Sequence, residues 1–495
     1  MYNSPGVYIE DLNTGKGTEV TESNSVGAMI GIAPAGPVNT PVLVKSFTEY
    51  IEKFANGLAS PFMANSYLSY AVQGFFANGG SQLYVVRAIK SDAVVASLVT
   101  YAKIPCNIFA TSEGTWGNNI AISVSASNNW SASNEVFDVT VSLGDNKVTI
   151  PSVTVKNVVE KINSNSVANK WIKASNPDET LENPKFVSGT VHLTGGKDGG
   201  NVAPGEYADL SNEQSFIFRL DSVIDKVAMV SIPGITELGA EAGLIKYCTN
   251  NNALPILDTP LNSTVADVVT LRTATLAQAY ADKNYEPPIT NGALVYPWGI
   301  VNDPLTDTLK TVPACGHTMG VYARIIDSRG VFKAPAGIEA YVNGFVSMEK
   351  TLTSKDTDVL NPIGVVSIMP RVNQGIVIWG ARGLNDDTTM RYVSDILLNL
   401  YIKKTLYART QYAVFEPNTE DLWNKLDATC RDVLENLRLA GAFVGDKDTA
   451  YYVNINSINN TEATIEDGIL NIEVGYAPTR PAEFVVIKLA HTIQN

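Results

Sequence analysis

Histidine, cysteine and charge are what this 495-residue chain is short of. His192, His317 and His491 are its only histidines, and none has a second histidine at the spacing with which a helix presents two ligands to one metal. Cys106, Cys248, Cys315 and Cys430 include no Cys-x-x-Cys pair. That excludes a zinc ribbon and a disulfide framework, and it fits a reducing compartment. Charged residues make up 17%, against about 25% in an ordinary soluble protein. A large chain with so few charges has either much uncharged polar surface or much surface covered by other subunits, and the abundance of Asn, Ser and Thr argues for both. The charges present sum to −14, which repels phosphate backbones and excludes a nucleic-acid binder. No apolar run approaches the ~18 residues of a membrane span. Met1 to Gly6 carries neither the basic nor the apolar part of a secretory signal, so neither insertion nor export is expected.

Catalytic signatures are equally scarce. A triad built on His317 finds no Gly-x-Ser-x-Gly elbow. Gly195-Gly196-Lys197-Asp198-Gly199-Gly200 lacks the Walker spacing and sets an acid where a phosphate would sit, so it reads as a turn leaving a β module. No Gly-x-Gly-x-x-Gly follows the first strand, as a dinucleotide fold requires. Ser347-Met348-Glu349-Lys350 has the Ser-x-x-Lys of acylating enzymes without its companion motifs. No catalytic residue, metal site or cofactor is expected.

The pattern that is present is α/β. Val26 to Ile32, Val42 to Val44 and Leu83 to Val86 read as strands. A short helix starts at Ser46, with Glu49 at capping-box spacing, and a second spans Ser66 to Phe76 before Asn78-Gly79-Gly80. Near Ser112 the period changes to two. Ile120, Ile122 and Val124, then Phe137, Val139, Val141 and Leu143, then Val148 and Ile150, alternate with small or polar residues, the mark of an antiparallel sheet with one wet face. After Ser211, apolar strands at Val227 to Ile232, Leu254 to Asp258 and Ala293 to Tyr296 alternate with helices at Gly239 to Cys248 and Val265 to Tyr280, as in a mostly parallel, doubly covered sheet. Two strong helices follow. The first is expected to run from Asp386-Asp387 to Lys403-Lys404, with charges suited to its dipole, and the second from Asn418 to Gly441. Leu470, Ile472, Val474 and Tyr476 alternate as a strand. Phe484-Val485-Val486-Ile487 is apolar on both faces, as expected of a strand covered on both sides.

The expected organisation is therefore an N-terminal arm (1–22), a first part of an α/β core (23–111), an inserted antiparallel β domain (112–200), a second part of the core (201–365) and a C-terminal α/β domain ending in a strand arm (366–495). Val7-Tyr8-Ile9-Glu10 is too short to stand alone and is followed by a polar tether, Asn13 to Thr18. It must pair with a sheet in this subunit or another.

Several motifs resemble the contractile tail sheath proteins of bacteriophages. At the N-terminal end they are Ser4-Pro5-Gly6-Val7-Tyr8-Ile9-Glu10, Gly31-Ile32-Ala33-Pro34-Ala35-Gly36-Pro37, and Phe75-Phe76-Ala77-Asn78-Gly79-Gly80 leading to Tyr84-Val85-Val86-Arg87. Gly114-Thr115-Trp116-Gly117-Asn118 and Leu193-Thr194-Gly195-Gly196 look like markers flanking an inserted domain. Gly330-Val331-Phe332-Lys333-Ala334-Pro335-Ala336-Gly337 is similar to the central motif. Gly375 to Arg382, Arg391-Tyr392-Val393, Phe415-Glu416-Pro417-Asn418, Ala440-Gly441-Ala442-Phe443 and Ala477 to Phe484 then follow in the family's order. The chain departs from the family at Gly383, where a Thr is usual, and around Asp395-Ile396, where an Arg-Arg pair is missing.

The resemblance implies a non-enzymatic subunit of a virion tail, assembled in the bacterial host cytoplasm. Copies stack as rings around a tail tube protein, between baseplate and tail terminator proteins, and the sleeve contracts to drive the tube through the host envelope. Neither nucleic acid nor membrane is a partner. The arms would exchange strands between neighbours through Val7, Tyr8, Ile9, Leu470, Ile472, Val474, Phe484, Val485, Val486 and Ile487. Asn13, Gly15, Gly17, Pro478 and Pro481 would be hinges, and Lys403, Lys404, Lys425 and Arg431 candidate tube contacts. Sheaths of contractile bacteriocins, extracellular injection systems and type VI secretion are the alternatives. The inserted domain favours a phage, and an α/β hydrolase is the distant rival.

Overall fold

The structure, a computed structural model, describes residues 6–8, 25–55, 57–58, 60–98, 104–131, 135–176, 186–280, 291–385 and 388–489. Ile9, Asn13, Gly15, Gly17 and Asp386-Asp387 lie outside them. The first strand, β1 (Gly27–Gly31), is buried along its whole length, as a parallel strand covered on both faces must be. β2 (Val42–Val44) is antiparallel to β3 (Leu83–Arg87), which runs parallel to β1. The helix α1 (Phe47–Phe54) starts at Ser46, whose Oγ accepts the Glu49 N–H at 3.1 Å, while the Glu49 carboxylate accepts the Lys45 N–H at 2.7 Å. The next helix, α2 (Leu68–Ala77), ends at Asn78. That side chain does more than stop a helix. It donates to the Gly74 and Asn343 carbonyls at 2.8 and 3.0 Å and accepts the Asn343 N–H at 2.7 Å, fixing a distant loop onto α2.

The chain then leaves this sheet to build a separate module. Its elements are β4 (Val95–Leu98), β5 (Asn107–Glu113), β6 (Ile120–Ala126), β7 (Phe137–Leu143), β8 (Asn146–Val153), α3 (Val158–Ser164), α4 (Ala168–Trp171), β9 (Ile172–Ser175) and β10 (Gly189–His192). They form two antiparallel sheets, β10-β6-β7-β8 and β4-β5-β9. Phe137, Val139, Val141 and Leu143 of β7 point into one apolar cluster shared by both sheets and both helices. The boundary expected at 112 falls inside β5, and β4 belongs to the same cluster. The period change at 112 marks the middle of the module. The segment Val95-Ala96-Ser97-Leu98 is too rich in small residues to show its own alternation.

A clasp ties the turn after β5 to the segment by which the chain leaves the module. Asp198 accepts the Thr115 N–H at 2.7 Å and its hydroxyl at 2.6 Å, and Asn118 exchanges two bonds with the Gly196 backbone at 3.0 and 2.8 Å. A Cβ at Gly196 would lie 2.4 Å from the Gly114 carbonyl. The glycine-rich stretch that superficially resembles a phosphate loop is thus one jaw of a polar clasp.

Beyond α5 (Gly205–Ala208) the chain re-enters the main sheet. β11 (Met229–Ser231), α6 (Leu238–Asn250), β12 (Leu254–Asp258), α7 (Val265–Tyr280) and β13 (Ala293–Tyr296) alternate as the sequence implies. A small sheet of β14 (Gly299–Asp303), β15 (Thr308–Val312) and β16 (Ser347–Met348), with the buried helix α8 (Cys315–Arg329), follows. After α9 (Ser354–Leu360), β17 (Val365–Arg371) and β18 (Gly375–Ile378) complete an eight-stranded sheet ordered β18-β17-β13-β12-β11-β1-β3-β2. Its inner neighbours are parallel, and only the two edge strands run antiparallel. The expected boundary at 366 therefore cuts β17, which pairs with β13 and belongs to the core.

The last region packs α10 (Val393–Thr410) against α11 (Glu420–Leu439), followed by β19 (Tyr451–Asn454), α12 (Glu462–Glu466) and β20 (Glu473–Tyr476). α10 starts with the Tyr392 N–H donated to Asp395 and continues to Thr410, so Lys403-Lys404 stands inside the helix and not at its end.

One buried cation ties core to module. Arg87, at the end of β3 and 2% exposed, donates to the carbonyls of Ala33, Pro34, Gly36 and Glu113 at 2.9–3.3 Å. Burial without a facing carboxylate in contact pulls its guanidinium down to about 10. Replacing Arg87 with Met leaves these carbonyls without a donor and is expected to cost at least ~3 kcal/mol of stability. Arg87→Lys, which reaches fewer of them, should cost less. Urea denaturation followed by circular dichroism checks this, and an unshifted midpoint for Arg87→Met contradicts it.

Candidate functional site

In a doubly wound sheet the place for a ligand is the crevice at the carboxyl ends of the strands where strand order reverses. Here that is between β1 and β11, and side chains fill it. A Cβ on Gly234, just past β11, would lie 2.5 Å from the Tyr67 ring. Tyr67 packs edge-on against Trp298 at 5.1 Å, and the Trp298 indole donates to the Thr259 carbonyl at 2.5 Å. Asp258, at the end of β12, is spent on the backbone N–H groups of Cys315 and Gly234 at 2.9 and 3.2 Å. Burial drives the Cys315 thiol well above its ordinary value, so it stays protonated. Burial also pushes His317 down to about 3, a neutral ring stacked on Phe345 at 4.0 Å. Among the described residues, no group of three or more His, Cys, Asp or Glu is placed to hold a metal, and no helix is long and apolar enough to cross a membrane.

The unusual chemistry of the surface lies at the chain's end. β20 pairs antiparallel with β19, with Val474 opposite Val453 and Tyr476 opposite Tyr451; Leu470 and Ile472 precede the ladder. The chain then stays fastened. Ala477 donates to the Ala450 carbonyl and accepts the Val444 N–H, Thr479 donates to the Ala442 carbonyl, all at 2.9 Å, and Pro478 bridges to Phe443. Glu483 is gripped next. Arg382 reaches it through Nη2 at 2.6 Å and Nε at 3.0 Å, Tyr392 donates its hydroxyl at 3.3 Å and Asn361 its amide at 3.4 Å. The two charged side chains are only 14% and 11% exposed. Glu483 in turn holds the Arg382 guanidinium above its ordinary value. Pro478 and Pro481 are consequently not hinges in this subunit, because fixed residues lie on both sides of each.

Past Glu483 the hold ends. Phe484, Val485, Val486 and Ile487 are 75–80% exposed and carry no regular structure. The strand expected to be covered on both sides is covered on neither in this structure. Val7 and Tyr8 are half-buried and carry no regular secondary structure.

The four cations expected at a tube surface do not form one set. Lys404 is 1% exposed, and its ammonium donates to the Val227 carbonyl at 2.5 Å, so it cannot dock anything. The helix-end reading of Lys403-Lys404 hid this, since α10 continues for another turn and more. Lys403 reaches Asn252 at 3.4 Å. Arg431 pairs with Asp427 at 2.7 Å and donates to the Val453 carbonyl of β19 at 2.9 Å. Lys425 is exposed. The Arg382–Glu483 grip was not foreseen, although both residues stand in recognisable motifs. The available signal was an arginine closing the apolar run Ile376 to Ala381 and a glutamate opening onto the apolar run Phe484 to Ile487.

Residues 4–277, more than half of the chain, match the family model described as DUF2586, N-terminal domain. The tail sheath protein of Salmonella phage ViI is 25% identical over 293 residues, which cover 57% of this chain and 42% of that protein. The match thus spans about two fifths of the relative's length. Among solved structures, a chain of the anti-feeding prophage baseplate superposes with TM-score 0.59 at 18% identity, covering 100% of both chains. A chain of the PVC sheath complex of an extracellular contractile injection system, in its contracted state, superposes with TM-score 0.57 at 19% identity, covering 100% of this chain and 99% of that one. At these identities the likeness fixes the fold, a mixed α/β architecture with several sheets.

Burial lowers the Lys404 ammonium to about 7, against 10.5 for the ordinary side chain. The folded state therefore favours the neutral amine. The stability this group contributes is full above the unfolded value and lost as pH falls from about 10.5 to about 7. Relative to a Lys404→Met variant, wild-type stability should rise over that window with a slope approaching about 1.4 kcal/mol per pH unit. Parallel urea melts of the two proteins from pH 7 to 10 check this. A constant difference would contradict it.

Proposed function

This chain belongs to the DUF2586 family, and we propose that it is a structural subunit of a contractile sheath. Copies polymerise as stacked rings around a tail tube and shorten to drive the tube through a host envelope. The observation that carries this reading is the apolar run Phe484 to Ile487, left in water beyond a firmly fixed root. A lone soluble protein gains nothing from such an arm, whereas a polymer uses it to complete a neighbour's sheet. The relative named a tail sheath protein and the contracted injection-system sheath support the same reading. The filled strand-end crevice speaks for a subunit whose work comes from conformational free energy summed over many copies. A head-to-tail interface that does not close produces the required helical array.

In this reading Val7-Tyr8-Ile9 of one copy joins the Leu470 to Tyr476 strand of another, and Phe484 to Ile487 contributes to the same mesh. Tube, baseplate and terminator proteins are the other partners. The subunit is assembled in the bacterial host cytoplasm and ends in the virion tail. The extracellular injection systems stand as a second reading, favoured by a specific observation. Their chains cover this one almost end to end, insertion included, so the inserted module does not single out a phage.

Two deletions follow from this. Removing residues 1–18, or separately 484–495, should give folded, soluble monomers that form no sleeves, read by size-exclusion chromatography and electron microscopy. Sleeves of normal length from either truncation would contradict strand exchange. Excising 95–197, whose ends lie together because Val94 and Lys197 exchange backbone hydrogen bonds at 3.0 and 2.9 Å, should leave a core that still polymerises if the module projects outward. A well-folded excision variant unable to assemble would contradict that placement.

A further inference from the structure

Glu483 is the last fixed residue before the free arm, and its fixation draws on three parts of the core. Arg382 follows β18 at the edge of the eight-stranded sheet, Asn361 ends α9, and Tyr392 caps α10. Arg382 and Tyr392 are themselves locked together. They bridge backbone to backbone, with Gly383 donating to the Arg391 carbonyl and Val393 to the Ala381 carbonyl, both at 2.9 Å. The carboxylate thus sits in a socket whose walls cannot move independently.

Upstream, residues 477–479 are held by neutral bonds spread along the chain, backbone bonds to 442–450 and the Thr479 hydroxyl to the Gly441 and Ala442 carbonyls at 3.1 Å. Such bonds, loaded from one end, open one after another. At Glu483 several bonds converge on one side chain and must break together. The strongest are charge-assisted, forked and largely shielded from water, so they are shorter and stronger than neutral ones and little weakened by salt. Tension entering at Phe484 meets this grip before it can reach the β19–β20 ladder.

Building on the sheath reading, we infer that Glu483 is the anchor through which pull on the C-terminal arm passes into the main sheet, with Arg382 as its positioning residue. The grip shields the β19–β20 ladder, the surface offered to a neighbour's strand, from being peeled by the subunit's own arm. It also fixes the direction in which the arm leaves. The pivot of the arm is therefore the Glu483–Phe484 junction, and the two prolines before it move with the core.

The test uses the full-length chain in two forms. In dispersed subunits, hydrogen exchange of the Ala477 and Thr479 amides should accelerate at least tenfold in Glu483→Gln and less in Tyr392→Phe, which loses one bond and keeps its ring. The charge-exchanged pair Arg382→Glu/Glu483→Arg should regain part of the protection, which a merely misfolded variant would not. In sleeves, Glu483→Gln should lower the guanidinium concentration at which preformed polymers disperse, again with partial recovery in the exchanged pair. Unchanged exchange in Glu483→Gln, or sleeves as resistant as wild type, would overturn the anchor. Wild-type chains that never form sleeves would refute the sheath reading instead, and the exchange rates would still decide whether Glu483 holds the arm root.

Discussion

An extended apolar segment cannot satisfy its backbone and its side chains at once in water, and the run Phe484 to Ile487 does neither within one subunit. Full burial of each such side chain is worth about 1.5–3 kcal/mol, and each paired backbone group about 0.5–1.5 kcal/mol net, set against the cost of ordering the arm. In the proposed sheath a neighbouring copy would be the partner that every subunit meets at equal concentration, and the deficit of one chain would become the adhesive of many. The low charge content of the surface is consistent with the same constraint. A chain covered by copies of itself, as the proposed sheath requires, would have little use for a strongly hydrated exterior.

The proposed arm would need a firmly packed body to work against, and the remainder of the fold is densely cross-linked. The eight-stranded sheet has edge strands of opposite sense to its centre, and its ligand crevice is packed with Tyr67 and Trp298. Polar residues lock distant segments together. Asn78 holds the 343 loop, Arg87 gathers carbonyls from the 33–36 turn and the module, and Asp198 and Asn118 tie the turn after β5 to the segment leaving the module. Each is a motif residue of no evident catalytic use whose role becomes plain once its partners are seen.

Much of this was legible in the sequence. Continuous apolar runs such as Leu254 to Asp258 announce strands buried on both faces, and the alternation from Phe137 to Leu143 announces one face wet, because burial dictates those periods. Boundaries were less legible. Domain edges are expected at 112, where composition changes, and at 366, but strand pairing, which composition does not record, carries β4 and β5 into the module and β17 and β18 into the core. Lys404 was misread for a related reason. A lysine pair on a helix looks like a solvated end, and only the bond from Lys404 to the Val227 carbonyl, just ahead of β11, shows that one of the two points inward. The hinge at Pro478 and Pro481 follows from the resemblance, whereas the fastening on both sides of it comes from residues as far as 101 positions away.

The account depends most on where the arm goes. A helical reconstruction by electron microscopy of sleeves formed by the purified full-length chain would trace the segment after Glu483 directly. The account predicts that Phe484 to Ile487 of one copy lies as a strand in a sheet containing β19 and β20 of another, with Glu483 still seated against its own Arg382. Arms folded back onto their own subunit, with the β19–β20 ladder of every copy joined by no strand from a neighbour, would contradict it.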